Sequence, residues 1–384
     1  MSSPATNSVL ARWMSTVLIG LFLILLWLPT VDSVFHIDWT PPRSENRAMA
    51  VFPKAPKTWR GVEAYVVGIE DWFNDHFGCR KCLVMWNNKL RWSLFKDRNS
   101  KNVLVGKDGW LFTTDAQMID HYSGLLQFTP EDLHNWLILL ETRRNWLAKR
   151  GIAYVFVVTP DKETIYPEKL PDWVTKVRPH TKLDQFVAYM REHSTVPVVD
   201  LRGVILDEKR RNATYLATDT HWNYLGGFVA YQELVRALAK ACPALNLEPV
   251  PLSDFTITNV PAAGGDLAKL LGLSVTESNS IHLSPKPGMP KFTTKLAPPE
   301  NPKQPKFSDN PNAKGTLIIF QDSFALTWVN FLAYNFKQVT YLWQYELDPA
   351  WIEREKPDIV VSEMNERFLV SVHPTELMEK DGLH

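Results

Sequence analysis

The sequence predicts an α/β fold, a single three-layer domain around a parallel or mostly parallel sheet. Three observations predict it. Helix-length amphipathic stretches alternate with short runs that are apolar at every position, notably 154–158 and Thr316–Phe320. A strand that is apolar on both sides is buried on both sides, which is the situation in a parallel sheet covered by helices on each face. Polar segments bearing Asp, His and Ser follow directly on this rhythm, at the carboxyl ends of strands where open α/β sheets collect their ligands. With 384 residues, 45% of them hydrophobic types, the chain has material for one large domain or two modest ones. Lysine plus arginine, at 42, equals aspartate plus glutamate, so a surface tuned to nucleic acid as a whole is excluded. The 15 Trp and 27 Pro favour aromatic-lined surfaces and long ordered loops over a simple helical bundle.

Taken in order, residues 1–35 come first. No charge occurs between Arg12 and Asp32, and 14–28 is almost wholly apolar. At about 1.5 Å per residue this nearly spans a hydrocarbon core of ~30 Å, so the segment reads as a signal anchor, with a cleaved signal peptide as its rival. Arg12 and the amino group lie on the near side, and the positive-inside tendency puts the bulk of the chain outside the cytoplasm. Residues 36–60, rich in Pro, Arg and Trp without periodicity, read as a stalk, and the body runs over 61–384. Cys79, Cys82 and Cys242 are too few for a disulfide framework; Cys79 and Cys82 have redox-motif spacing without the surrounding pattern of a thioredoxin-like site. Segment 104–112 reads as strand, Asp-Gly turn and strand, with Gly109 supplying the positive backbone angle. A helix over 129–150, capped by Gly151, precedes the 154–158 strand. Further along come a helix at 183–193, a strand at 196–201, a helix at 224–240, and strands at Thr316–Phe320 and 358–362. Between Ser284 and Gly315, eight prolines and six lysines break the rhythm, and this stretch reads as a solvated, extended insertion, either a surface loop or a basic lip for an anionic polymer.

Walker A, GxGxxG, HExxH and GxSxG patterns are absent from the sequence, which removes the nucleotide, zinc-protease and ordinary α/β-hydrolase readings. Two segments at strand ends remain: Asp219-Thr220-His221-Trp222 before the 224–240 helix, and Gln321-Asp322-Ser323-Phe324 after the Thr316–Phe320 strand. A serine hydroxyl becomes a nucleophile at neutral pH only when a base takes its proton, and the base works best when a carboxylate fixes its tautomer. Ser323 would supply the hydroxyl, His221 the base and Asp219 the orienting carboxylate. The Asp-x-His spacing places both side chains on one side of an extended segment. Backbone N–H groups at the start of the helix after Ser323 would receive an oxyanion.

These segments do not stand alone. Gly106-Lys107-Asp108-Gly109-Trp110-Leu111-Phe112, Thr159-Pro160-Asp161-Lys162 with Ile165-Tyr166-Pro167-Glu168, the Asp219 segment, Gly265-Asp266-Leu267 and Asp322-Ser323-Phe324 follow one another in the order seen in the alginate O-acetyltransferase family of AlgX and AlgJ proteins. The chain resembles that family over roughly 61–369. The resemblance implies a circularly permuted SGNH-hydrolase-like fold with Asp219, His221 and Ser323 at the triad positions. The sequence departs from many relatives at Gln321, where they carry glycine. By the same resemblance Arg367, in a Glu-Arg segment after the last strand, would steady an oxyanion or an acidic sugar, or else form a salt bridge. Lys162 and Tyr166 would line the pocket or hold a loop together. The Trp222 indole would stack on sugar or pack the loop.

The expected activity is O-acetylation of an exported polysaccharide through an acetyl-serine, without metal or cofactor. A multipass membrane acyltransferase would supply the acetyl group, and the anchor would hold the domain at the periplasmic face of the inner membrane. A carbohydrate esterase would use the same three residues with water as acceptor. A non-catalytic polysaccharide-binding scaffold would need none of them.

Overall fold

The computed structural model describes residues 4–35, 50–56, 58–79, 83, 86, 99, 100, 102–298 and 301–383. Two units are distinguished, Met1–Ser100 with Lys269–Leu273, and Lys101–Ala268 with Ser274–His384. In the first, α1 (Pro4–Phe35) and α2 (Val62–His76) are helical. Within α1, Trp13–Asp32 is a 20-residue span of mean hydropathy 2.2 whose apolar side chains face outward, long and apolar enough to cross a membrane. The carboxylate of Asp32 accepts the Cys79 N–H at 2.7 Å. Most of the expected stalk, 36–49 and residue 57, lies outside the described residues, as does Cys82.

The second unit opens with a hairpin, β1 (Val103–Val105) against β2 (Leu111–Thr113). Its turn places both Asp108 and Gly109 at positive φ, 53° and 78°. Next is α3 (Pro130–Ala148), started by a Thr129–Asp132 capping box and a proline in its first turn, which satisfy or remove orphan N–H groups. It leads into β3 (Ala153–Thr159). A second capping box, Thr181 with Asp184, starts α4 (Lys182–His193), which leads to β4 (Val198–Asp200). The long helix α5 is Tyr224–Ala241, capped by Asn223. Strands β5 (Thr293–Lys295), β6 (Lys306–Asp309), β7 (Thr316–Phe320), β8 (Gln338–Leu342) and β9 (Ile359–Asn365) follow.

Seven of these strands form one sheet in the order β5-β6-β8-β7-β9-β3-β4. From β8 to β4 every pair is parallel, while β5–β6 and β6–β8 are antiparallel. Side chains alternate across the sheet, so Val155, Val157, Leu317, Ile319, Ile359 and Val361 share one core with Phe228, Tyr231 and Leu234 of α5. Tyr154, Phe156, Val158, Ile318, Phe320 and Val360 share another with Trp136 and Leu140 of α3 and Phe186 of α4. The continuous apolar runs are therefore two alternating sets, each feeding its own layer. The Pro/Lys-rich stretch differs from the expected bare loop. It carries β5 and β6, with Thr293 opposite Asp309 and Lys306 opposite Tyr341, and neither of these two strands contains a proline; Pro298, Pro302 and Pro305 lie between them, and Pro285 ends a separate short strand, Ile281–Pro285. Lys306 is buried there, its Nζ donating to the Pro302 carbonyl at 2.7 Å.

Candidate active site

Because β3, β7 and β9 are parallel neighbours, their carboxyl ends lie side by side, and Asp161, Ser323 and Arg367 emerge from the same sheet edge. The Asp219 segment reaches this edge on a short antiparallel turn in which Tyr215 pairs with Trp222. Lys162, just past β3, sits beneath that turn. Its Nζ donates to the carbonyls of Leu216 at 3.1 Å, Ala217 at 3.2 Å and Asp219 at 2.5 Å. The hairpin adds one more tie, Leu111 N–H to the Ala217 carbonyl at 2.8 Å. Burial pushes the Lys162 ammonium down to about 8, the nearby carboxylates of Glu163 and Asp219 opposing the shift.

His221 Nδ1 faces Asp219 Oδ1 at 2.7 Å and His221 Nε2 faces Ser323 Oγ at 2.8 Å. With Nδ1–H given to the carboxylate, Nε2 is the lone pair turned to the serine proton. Burial opposes the charge on Asp219, but the His221 hydrogen bond and charge and the Asp266 N–H, 2.8 Å from Oδ2, hold its carboxyl well below the usual carboxylate range. Burial alone would lower the His221 imidazole. The bond and charge of Asp219, with the Asp266 charge behind them, outweigh burial and the opposing Arg367 charge, and the net shift is upward.

Asp266 is the residue that sequence reasoning passed over. Its Oδ1 accepts the Thr220 N–H at 2.8 Å, its Oδ2 accepts the Thr220 hydroxyl at 2.5 Å, and Oδ2 lies 3.9 Å from His221 Nδ1. The signal was available, because Asp266 stands in one of the five ordered motifs without a role of its own. Asp219, His221 and Asp266 lie close enough together to hold a metal ion. Their facing atoms bond to one another and to Thr220.

Ser323 follows β7 and starts a 3₁₀ helix, Phe324–Trp328, with its own backbone at φ −71°, ψ −22°. The Phe324 N–H, one of the donors expected to face an oxyanion, instead donates to Asp322 Oδ1 at 2.8 Å. Gln321 has no positive φ, so a side chain is accommodated where many relatives carry glycine. Behind the serine, Asp322 accepts the Tyr345 hydroxyl at 2.8 Å and the Asn365 N–H at 2.9 Å, while its own N–H donates to Glu363 at 2.8 Å. Burial and the adjacent Asp322 charge push the Glu363 carboxyl well up.

The remaining sequence candidates take other places. Arg367, 7% exposed, pairs with Asp161 at 3.0 Å and donates to Asn365 Oδ1 at 2.8 Å, its guanidinium 5.7 Å from the Phe324 ring, which also lies 5.0 Å from that of His221. Tyr166 is buried, its hydroxyl accepting the Thr214 N–H at 2.9 Å. Trp222, 2% exposed, donates Nε1–H to Thr327 at 3.0 Å and packs on Phe324 and Trp328. A cleft of about 340 Å³ opens on Asp219, His221 and Ser323; its walls include Leu216, Tyr224, Ile281 and Leu326 beside the polar Asn223, Ser280 and Thr327. The indole of Trp222 reaches its wall, whereas Lys162, Tyr166 and Arg367 do not line it.

Comparison with known proteins agrees with this architecture. The family described as SGNH hydrolase-like domain, acetyltransferase AlgX, matches residues 103–338. A probable alginate O-acetylase AlgJ of Pseudomonas syringae pv. tomato is 29% identical over 218 residues, 57% of this chain and 52% of the relative. That of Pseudomonas aeruginosa is 30% identical over 210 residues, 54% of this chain and 50% of the relative. The chain thus spans about half the length of the curated relatives it matches. Among solved structures, Bacillus cereus PatB1 with a sulfonyl adduct superimposes with a TM-score of 0.54 at 17% identity, covering 72% of this chain and 99% of that one, which places the two on a common fold. With a family match over more than half of its residues, and that fold beneath it, this chain belongs to the AlgX acetyltransferase family of SGNH hydrolase-like domains.

Proposed function

We propose that this protein is a polysaccharide O-acetyltransferase that works through an acetyl-enzyme on Ser323. The observation that carries the proposal is the unbroken row from Asp219 through His221 to Ser323, at 2.7 and 2.8 Å, opening on a cleft. In the first half-reaction Ser323 Oγ attacks the acetyl carbonyl while His221 Nε2 takes the serine proton. The collapsing intermediate expels the donor oxygen, which leaves with that proton. In the second half a sugar hydroxyl gives its proton to His221, its oxygen bonds to the acetyl carbon, and Ser323 leaves with the proton. Asp219 holds the imidazole in the tautomer both halves need. The raised His221 imidazole makes it the stronger base, at the cost of a larger protonated fraction in mild acid.

The fold is read as a circularly permuted SGNH domain, since the Asp219-His221 segment precedes the serine segment in the chain. A multipass membrane acyltransferase is the proposed donor of acetyl groups, and α1 is the proposed single-pass anchor that keeps the domain beside it on the periplasmic side of the inner membrane. Holding donor and acceptor together removes a translational cost from each transfer. The names of the relatives point to alginate or a similar polymer as acceptor.

The test offers the full-length chain in detergent an activated acetyl ester, with and without oligosaccharide, beside Ser323→Ala and His221→Ala. The expected outcome is acetyl transfer to sugar that falls by about 10³-fold or more in each variant. Release of acetate at the same rate with and without sugar would favour an esterase, and activity untouched by both substitutions would leave a glycan-binding scaffold.

A further inference from the structure

The second half-reaction sets a geometric demand that Asp219, His221 and Ser323 do not themselves meet. The acceptor hydroxyl must lie within hydrogen-bond reach of His221 Nε2 and against the carbonyl held on Ser323 Oγ, so the sugar ring carrying it must rest in the cleft that both residues share. That ring has an apolar C–H face and a polar rim, and the common protein counterpart to such a face is an exposed aromatic ring. Trp222 cannot serve, since Phe324 and Trp328 pack against its buried indole and its N–H is given to Thr327.

Two residues further on, Tyr224 lines the same cleft and is 37% exposed. Its position is fixed from behind. It is the first residue of α5, whose start is held by the Asn223 side chain accepting the Gly226 N–H at 3.0 Å. Its ring lies 5.6 Å from that of His282, inclined by 31°, and His282 Nε2 is within 3.2 Å of Ser280 Oγ. Tyr224 thus lines the cleft, is partly exposed and has one ring contact, with His282, and a rigid aromatic with an apolar body and a polar tip recognises ligands at low cost in conformational entropy. Leu216, Ile281 and Leu326 make the adjoining wall apolar, as the body of a sugar ring requires.

We propose that Tyr224, backed by His282, is the platform on which a pyranose ring of the acceptor polysaccharide stacks while its hydroxyl meets His221. The inference rests on the acyl-transfer reading for the purpose of the site, although the platform itself can be tested without turnover. An alginate oligosaccharide and a cello-oligosaccharide serve as probes for the full-length chain in detergent. Binding is measured on the Ser323→Ala protein, with and without Tyr224→Ala, and transfer kinetics on the otherwise unaltered chain. Tyr224→Ala is expected to weaken oligosaccharide binding, and to raise the acceptor KM, roughly three- to tenfold. The acceptor KM should rise by a larger factor than small-ester turnover falls, and Tyr224→Phe should restore binding. Binding that depends on Tyr224 without any acetyl transfer keeps this inference and removes the transferase reading. The inference is overturned if neither oligosaccharide binds, if binding and KM ignore Tyr224→Ala, or if small-ester turnover falls in the same proportion.

Discussion

At the residue scale the central figure is the imidazole of His221, which meets two carboxylates and one cation. Asp219 bonds to it directly, Asp266 lies 3.9 Å away with its charge, and the Arg367 charge opposes them. In the proposed mechanism His221 acts as a base only when neutral, so an imidazole raised above its ordinary value of about 6.5 puts the acidic limb of kcat/KM above that pH. Asp266→Asn removes one raising charge and keeps the shape, so the limb is expected to move to lower pH, a shift that a purely structural lesion does not produce. A pH–rate profile of ester turnover checks it, and an unmoved limb contradicts the role given to Asp266. The Asp219, His221 and Ser323 trio was legible in the sequence because each member belongs to a short segment beside an element boundary. Asp266, Glu363 and Tyr345 were not assigned roles, because their partners across the site lie 23 to 204 positions away. No local periodicity encodes contacts at that range.

At the scale of elements, the active-site turn is held by backbone approach as much as by side chains. A Cβ on Gly265 would meet Asp219 Cβ at 2.3 Å and Oδ2 at 2.6 Å, so glycine is what allows the 264–266 loop to bring the Asp266 N–H onto the carboxylate while the Gly265 N–H donates to the Thr218 hydroxyl. Gly265→Ala is expected to cost about 1–3 kcal/mol by overpacking and to cut kcat by more than about tenfold as Asp219 shifts. Gly109→Ala makes a fair control. Its φ of 78° gives strain of about 1 kcal/mol, yet nothing lies within 4 Å of the added Cβ, so kcat should hold. Thermal melts read alongside single-turnover rates separate the two effects, and equal kcat losses would contradict the argument. The buried strands β3, β7 and β9 were readable because apolar runs bounded by polar turns have few other fates. Strands β5 and β6 were not, because prolines and lysines mask the alternation of a partly solvated edge. The apolar membrane-length helix was readable from its composition alone.

For the whole molecule, the fold does what sequence proximity cannot: β7 brings Ser323 to the sheet edge and the Tyr215–Trp222 turn brings His221, 102 positions away, into hydrogen-bond contact with it. The apolar span Trp13–Asp32 keeps its side chains outward, and a surface of that kind is stable in lipid rather than in water. The full-length chain is expected to stay in the membrane fraction through alkaline carbonate washing, and a chain lacking residues 1–35 to be released. Retention of the shortened chain would contradict the anchor. The central claim, however, is chemical, and the most direct measurement is mass analysis of the full-length protein quenched soon after mixing with an activated acetyl ester. The account predicts one acetyl group on the peptide carrying Ser323, absent in His221→Ala, and discharged faster when oligosaccharide is added, with the acetyl recovered on sugar. Acetyl found elsewhere in the chain, or discharged at a rate indifferent to sugar, would contradict it.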